Sequence, residues 1–415
     1  MSNLSGAALA PARSLSRILA TVLLPFALAH FISYLYRSVN AVVYPDLVQD
    51  LGLTANTLGL LTGVYFIAFA AAQLPIGVAL DRFGPRKVQL PMLLIATVGG
   101  LVFAFAQSLT GLLIGRALIG LGVAASLMSA IKAASLWLPP SRLPLVTSIL
   151  LAFGGLGAVV STAPMQLALQ YISWREAFGV LSLATLAIVT LIFTSVPEHA
   201  HKSEVRVDEA LRSVGQLFRT GSFWRLVLYT LFSNAAYMSI QGLWIGPWLR
   251  DVGHLSRGDM ADVLLLGTIA MVVGSLFFGW FTDRMRQHSV RPISICGSGM
   301  LVFLIFQALM VQGHVAPPWL VAAGFSFFGT ASAMNYAIVA QSMPPHLTGR
   351  VSTSFNLLIF VVAFAMQWGM GALINTWPAV DGQYPEVAYR VTLACCLGLQ
   401  IPGLLIWLSF KPWKK

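Results

Sequence analysis

Charge is scarce in this sequence. Asp, Glu, Lys and Arg make up only 9% of its 415 residues, hydrophobic residues make up 57%, and the mean hydropathy is +0.80. Soluble globular domains contain about 25% charged residues, so a water-soluble fold is excluded. Apolar stretches of about 20 residues, each able to cross a bilayer as a helix, recur along nearly the whole chain. Lipid-embedded backbone must pair within helices or closed barrels, and the stretches show no strictly alternating strand pattern. The sequence therefore predicts an all-α membrane protein.

Catalytic and metal-binding patterns are also missing. The three cysteines, Cys296, Cys395 and Cys396, fall inside predicted spans and lack metal-ligand spacing, which indicates packing roles. No His-Glu-x-x-His, Gly-x-Ser-x-Gly or cysteine cluster occurs. We therefore predict that the protein is not an enzyme, and that it has no metal site and no cofactor.

Carboxylates are missing from the centres of the predicted spans. All fourteen, from Asp46 to Glu386, map to loops or to span ends. A cavity that selects organic cations normally holds a buried acid, so this absence argues against a cationic substrate. It argues equally against a proton relay built from carboxylates.

Twelve apolar stretches are present, and they predict twelve transmembrane helices in two pseudo-symmetric halves of six. The halves are residues 1–196 and 222–415, and a polar cytoplasmic linker, 197–221, joins them. Within the linker, residues 208–219 fit either an amphipathic surface helix or a solvated connector. Two halves in the same order, related by an axis along the membrane normal, place a binding site between them near mid-membrane. The predicted spans are 17–46, 57–80, 88–107, 111–137, 145–170, 174–196, 222–250, 260–281, 292–312, 318–342, 350–373 and 388–410.

The excess of basic residues reports topology rather than a nucleic-acid partner. The formal net charge is +11, from 25 basic and 14 acidic residues, and eighteen of the bases fall on the same side of the predicted spans. This bias predicts an inner (plasma) membrane protein with both termini in the cytoplasm. The lipid bilayer is then the partner that composition requires, and no nucleic acid is expected.

A polar loop between the second and third spans is partly repeated about two hundred residues later. The first copy is Gly77-Val-Ala-Leu-Asp81-Arg82-Phe-Gly84-Pro-Arg86-Lys87, and the second is Gly279-Trp-Phe-Thr-Asp283-Arg284-Met-Arg286. The glycines allow a tight turn and close helix approach, and Asp81 can pair with a base or a helix end.

This repeated loop resembles the signature loop of the major facilitator superfamily of secondary transporters. The resemblance implies a latch that holds the cytoplasmic side shut when the protein opens outward. Gly77, Asp81, Arg82, Gly84 and Arg86 match the pattern of the family. Asp283 and Arg284 belong to the second copy, which lacks a matching glycine, so a weaker latch is expected there.

Two bases lie inside the fourth span. Gly115-Arg116-Ala-Leu-Ile-Gly120 resembles another family segment, and a buried guanidinium is costly unless it serves a function, so we assign Arg116 to gating. Snorkelling of Arg116 to the outer interface is the alternative. Lys132 lies about 24 Å from Arg116 along the helix, nearer the cytoplasm, where it either assists at the inner mouth or snorkels to headgroups.

A polar stripe in the first span predicts the substrate class. His30, Tyr34 and Arg37 share one helical face, and guanidinium binds carboxylate or phosphate with paired donors. The stretch from Tyr34 to Pro45, which includes the further candidate Asn40, looks like the first span of organic-anion and organophosphate members of the family, where the arginine binds substrate. An arginine that braces the span by hydrogen bonds is the alternative. His30 is a candidate proton carrier or a neutral, hydrogen-bonded side chain.

The second half offers neutral groups for the same ligand. No basic residue accompanies them, so a monoanion with an apolar or hydroxylated body is favoured over a doubly charged phosphate. The candidates are Asn234, Tyr237, Gln241, Trp244, Asn335 and Asn356.

These residues predict secondary transport of a small organic anion, such as a monocarboxylate-like metabolite, by alternating access. Proton symport is a further hypothesis. One alternative is efflux of hydrophobic compounds or drugs through a cavity dominated by Trp244, Trp248, Phe and Met. A non-transporting membrane sensor is the alternative from another class.

Overall fold

A computed structural model describes residues 15–139, 142–198, 215–313, 316–342, 348–380 and 382–410. Within these ranges the chain is almost entirely helical, and the β-structure is an isolated bridge between Val380 and Gln383. The linker stretch 208–219, which fits either a surface helix or a solvated connector, lies mostly outside the described residues.

Twelve helical segments among the described residues correspond to membrane crossings, in two sets of six, as the hydropathy pattern predicts. Nine helices among the described residues are each long and apolar enough to cross a membrane, and the one at Ala55–Ala104 supplies two crossings. Two further segments, 221–251 and 318–341, complete the set, although each is broken into shorter pieces. The segments are α1 (15–51), α2 (55–83), α3 (85–104), α4 (Leu109–Trp137), α5 (143–168), α6 (Trp174–Ser195), α7 (221–251), α8 (Arg257–Arg286), α9 (Pro292–Gln312), α10 (318–341), α11 (Thr348–Ile374) and α12 (Glu386–Ser409).

Gly84 makes the turn that separates α2 from α3. Its φ of 80° lies in a region that L side chains rarely adopt, so glycine is required there. Gly77 behaves differently, because nothing lies within 4 Å of the position that a Cβ would take. The close helix approach predicted at Gly77 is therefore wrong for this conformation, whereas the tight turn is found at Gly84.

Helix breaks recur at corresponding places in the two halves. Segment α1 is interrupted at Val39 and α7 by a π-turn at Ile240–Trp244, whereas α4 is interrupted near Ala124 and α10 by a 3-10 turn at Thr330–Met334. The spacing is again about two hundred residues. Backbone irregularity of this kind is tolerated at membrane depth only where protein or a wet cavity surrounds it.

Two pairs of antiparallel segments join the halves, beside a contact of α1 with α7. In the first pair α2 runs beside α11, and in the second α5 packs on α8. Glycines permit these approaches, because a Cβ at Gly59 would meet the backbone of α11 and one at Gly155 would meet the side chain of Val272 on α8. We call the end of the molecule that holds Gly84 the basic end, and the other the opposite end.

Candidate functional site

Arg37 lies between the two halves. Its Cζ atom is 4.6 Å from the ring centre of Tyr34, and 5.3 Å from the rings of both Phe69 on α2 and Phe360 on α11. The Nε atom is buried without a hydrogen-bond partner, and no carboxylate of the described residues pairs with the guanidinium. A cation in an aromatic setting, with no fixed counter-ion, is suited to receive an anion.

His30 lies two turns from Arg37 along the same face of α1. The side chain is only 3% exposed, and neither ring nitrogen has a hydrogen-bond partner among the described residues. The imidazole meets the ring of Tyr34 edge-on, with 5.0 Å between ring centres. Gly154 of α5 lies against it, where a Cβ would be 2.7 Å from Nε2. Tyr34 therefore separates a guanidinium from an imidazole.

Tyr237 of α7 brings the second half to the same place. Its ring packs on Phe303 and Phe325, its hydroxyl is buried without a partner among the described residues, and it lies within electrostatic range of Tyr34. Two of the neutral residues predicted in this half keep a buried atom without a partner among the described residues, the hydroxyl of Tyr237 and Oδ1 of Asn335, and of these Tyr237 lies within electrostatic range of Tyr34.

The basic-end side of the site is closed by contacts between the halves. The rings of Phe69 and Phe360 stack with 4.3 Å between their centres. One turn nearer the basic end, Asn356 Nδ2 donates to Gln73 Oε1 (3.0 Å) and the hydroxyl of Tyr336 donates to Asn356 Oδ1 (2.6 Å). Asn356, predicted as a substrate ligand, thus forms part of a polar floor that spans both halves.

Three predicted ligands are held by neighbouring helices. Asn40 Nδ2 donates to the hydroxyl of Thr62 (3.0 Å). Asn234 donates to two backbone carbonyls and accepts from the hydroxyl of Ser332, and Asn335 donates to Thr230 and to the carbonyl of Leu226. Each of these asparagines therefore ties helices together within its own half.

Gln241 and Trp244 also have protein partners. Gln241 accepts from the hydroxyl of Ser326 (2.9 Å). Trp244 is buried, its Nε1 donates to the carbonyl of Gln367 (3.2 Å), and its ring lies beside Gly59 and Gly371. Trp244 therefore packs where α2 and α11 cross near the opposite end, away from the guanidinium of Arg37.

Arg116 is fully buried and contacts the first span directly beside the site. Its Nη1 donates to the carbonyl of Tyr36 (2.9 Å), and its Cζ atom is 5.1 Å from the ring of Tyr65. Snorkelling to the outer interface, the alternative raised from the sequence, is not found. The bond reaches the backbone of the residue just before Arg37, so Arg116 positions that part of α1.

A sequence profile described as Major Facilitator Superfamily matches residues 26–367. The protein belongs to the major facilitator superfamily. It is 26% identical to the Probable sulfoacetate transporter SauU of Cupriavidus necator, over 80% of this chain and 82% of that one. It is 25% identical to the Niacin transporter NiaP of Acinetobacter baylyi, over 84% of this chain and 76% of that one. The protein is thus a transporter, with no sign of an enzyme in its relatives.

A solved structure shares this fold. The bacterial homolog of the human lysosomal transporter Spinster, in an inward-facing and unoccupied conformation, matches with a TM-score of 0.76 and 15% identity. The match covers 95% of this chain and 97% of that one. Similarity at this identity supports the fold alone, and it agrees with the twelve segments described above.

The signature loop of this facilitator pairs with α4. Lys132 Nζ lies 2.7 Å from Asp81 Oδ1, so the base in the fourth span meets the acid of the loop within the same half. Arg86 donates to the carbonyl of Phe193 (2.7 Å), and Arg82 lies near the ring of Phe83. In the second copy, Asp283 is exposed and Arg284 donates to Gln287 Oε1 (2.9 Å).

At the opposite end of the facilitator an ion pair joins the halves. Asp46 of α1 pairs with Arg257 of α8, which also donates to Gln166 of α5 (3.3 Å). Asp50, one turn further on, pairs within its own half. The indole Nε1 of Trp174 donates to the Asp50 carboxylate (2.9 Å), which also pairs with Arg175.

Removing the ion pair between the halves should loosen the opposite end. Because Arg257 is 41% exposed, Arg257→Gln should remove only about 0.5–1 kcal/mol, a few-fold change in equilibrium. A cysteine at Leu58, which is buried in the crevice at this end, should then react a few-fold faster with an impermeant maleimide. The charge-swapped double variant Asp46→Arg/Arg257→Asp should restore slow labelling, and equal rates in all three proteins would contradict the gate.

Sequence reasoning missed the residues that close the site. Phe69 and Phe360 gave no signal, because they are apolar residues in apolar spans. Gln73 did give one, since an amide inside an apolar span needs a partner. Its partner, Asn356, comes from the other half and only the fold reveals it.

Proposed function

We propose that this transporter moves a small organic anion across the inner membrane by alternating access, with the acid group of the substrate held by Arg37. The supporting observation is the guanidinium itself, which lies between the halves, in contact with aromatic rings from both, and has no carboxylate partner among the described residues. A cation in such a place is costly unless an anion regularly neutralises it.

A single negative charge suits this site best. Of the two bases inside the fourth span, Lys132 is paired with Asp81 and Arg116 is bonded to the backbone of α1. A dianion would leave one charge without a partner in a poorly hydrated space. The rings of Tyr34, Phe69 and Phe360 provide surface for an apolar or planar body beside the acid group.

The names of the relatives agree with an anionic substrate. Niacin is a monocarboxylate at neutral pH, sulfoacetate carries a carboxylate and a sulfonate, and a relative from Escherichia coli that is 24% identical over 95% of this chain is named Probable L-galactonate transporter. Their common chemistry is an acid group on a small body.

Closure of the two ends in turn would complete the cycle. We place Asp46 and Arg257 at the outer gate, and the signature loop with Asp81 and Lys132 at the cytoplasmic side, which puts both termini in the cytoplasm. Proton coupling is the second part of the proposal. No carboxylate of the described residues lies in the central site, so His30 is the side chain that would carry the proton.

The test is uptake by purified protein in sealed liposomes, with substrates of one shape and different charge. Nicotinate, nicotinamide and quinolinate provide a monoanion, a neutral amide and a dianion on one ring. Nicotinate should compete at least ~10-fold better than the other two for counterflow of a transported monocarboxylate, because a charge-assisted contact contributes about 1.5–3 kcal/mol. Equal competition by the amide would refute the assignment, and binding without flux in any gradient would favour a sensor.

A further inference from the structure

The site holds buried hydrogen-bonding atoms that the anion bound at Arg37 does not account for. They are Nδ1 and Nε2 of His30 and the hydroxyl of Tyr237, and none has a partner among the described residues. Burying such an atom without a partner destabilises the folded state, because its hydrogen bond to water is lost and not replaced. Three of these atoms, in one place and from two halves, therefore indicate a second polar group on the ligand.

The arrangement gives that group a position. Tyr34 has the guanidinium of Arg37 at 4.6 Å from its ring centre and the imidazole of His30 at 5.0 Å. A ligand whose acid group meets Arg37 can therefore extend along Tyr34 towards His30. Tyr237 approaches the same tyrosine from the other half of the protein.

The chemistry of these atoms defines what they can recognise. A neutral imidazole has one donor and one acceptor, and a phenol hydroxyl both donates and accepts. A hydroxyl group on the ligand can bond one ring nitrogen of His30 and the hydroxyl of Tyr237 at once. An alkyl or unsubstituted aryl body would leave them buried and unpaired, and sites built to bond a hydroxyl reject analogues that lack it.

We infer that the transporter selects hydroxylated monoanions, in which the acid group binds Arg37 and a hydroxyl on the body is bonded by His30 and Tyr237. This inference rests on the proposed function and narrows its substrate class. Because His30 and Tyr237 belong to different halves, a hydroxyl bonded by both also favours the conformation in which the halves close around the ligand.

Matched pairs of probes test the inference. Benzoate is compared with 3-hydroxybenzoate and 4-hydroxybenzoate, and propionate is compared with lactate. Each compound is tested as a competitor for counterflow of a transported monocarboxylate by the full-length protein in liposomes. The wild type should prefer a hydroxylated member by at least ~10-fold, as one recovered hydrogen bond of about 1.4 kcal/mol requires. Equal competition within every pair, or none by any probe, would overturn the inference.

Single substitutions show which residues read the hydroxyl. Tyr237→Phe deletes one oxygen and should bring the preference within about 3-fold of unity. His30→Leu should act in the same direction, whereas His30→Asn, which keeps a donor and an acceptor, should retain part of the preference. Tyr229→Phe is the matched control, because Tyr229 is a buried tyrosine on the same segment whose hydroxyl bonds to the carbonyl of Ile293 (3.4 Å).

The outcomes separate this inference from the proposed function. If Tyr237→Phe and His30→Leu keep the full wild-type preference while Arg37→Gln loses both members of each pair, the hydroxyl assignment fails and anion transport stands. If Arg37→Gln transports both members as the wild type does, the proposed function itself fails. Size-exclusion profiles in detergent check that each variant is folded.

Discussion

Replacing Arg37 with glutamine should reduce transport of anionic substrates by about 100-fold or more, because two charge-assisted hydrogen bonds of about 1.5–3 kcal/mol each are lost. Glutamine keeps a donor and removes the charge, so the effect reports on electrostatics rather than on shape. The measurement is initial uptake of a labelled monocarboxylate by the variant in liposomes, at equal protein content.

Folding should tolerate the Arg37→Gln change. No carboxylate of the described residues loses its partner, and removing a buried charge without a fixed counter-ion also removes the cost of its desolvation. Arg142→Gln is the control, because Arg142 is an exposed arginine at the basic end. A variant at Arg37 that transports an anion at the wild-type rate would remove this residue from the mechanism.

The fold could be predicted from sequence because one physical quantity determines it. Each crossing needs about 20 apolar residues with internally paired backbone, and that requirement is visible in hydropathy. The broken segments α7 and α10 were also found this way, although their helical pieces are short. The turn at Gly84 was also predictable, from the residue type, because few residues other than glycine adopt its φ.

The site could be predicted only in part. A charged group such as Arg37 must face a partner or a cavity, so its cost reveals it. Asn234 and Asn335 are polar residues in apolar spans, as Arg37 is, yet they bond to adjacent helices of their own half. Periodicity tells which residues share a face of a helix and says nothing about what that face meets. Phe69 and Phe360 could not be found, because a stacking partner comes from the packing of distant segments.

Gly371→Leu should abolish net transport while leaving the ligand bound, because it prevents the opposite end from closing. A Cβ on Gly371 would meet the carbonyl of Ala55 and the ring of Trp244, and Gly59 faces the same crossing of α2 and α11. A leucine would force these backbones apart. Overpacking costs about 1–3 kcal/mol where side chains can adjust, and we expect a larger cost where the added side chain meets backbone. A cost of this size shifts the equilibrium between the two conformations ~100-fold towards the one in which the opposite end is open.

Gly369→Leu is the matched control for Gly371→Leu. It adds the same side chain on the same helix, two residues away, where nothing lies within 4 Å of the added Cβ. Transport by Gly371→Leu should fall by at least ~30-fold, and a cysteine at Leu58 should react faster with impermeant maleimide in a Cys395→Ser background. Binding of a transported monocarboxylate, followed by thermal shift, should persist, because Arg37 is unchanged. If both glycine variants transport equally, closure of this crossing is not required for transport. Alternating access would then need another gate.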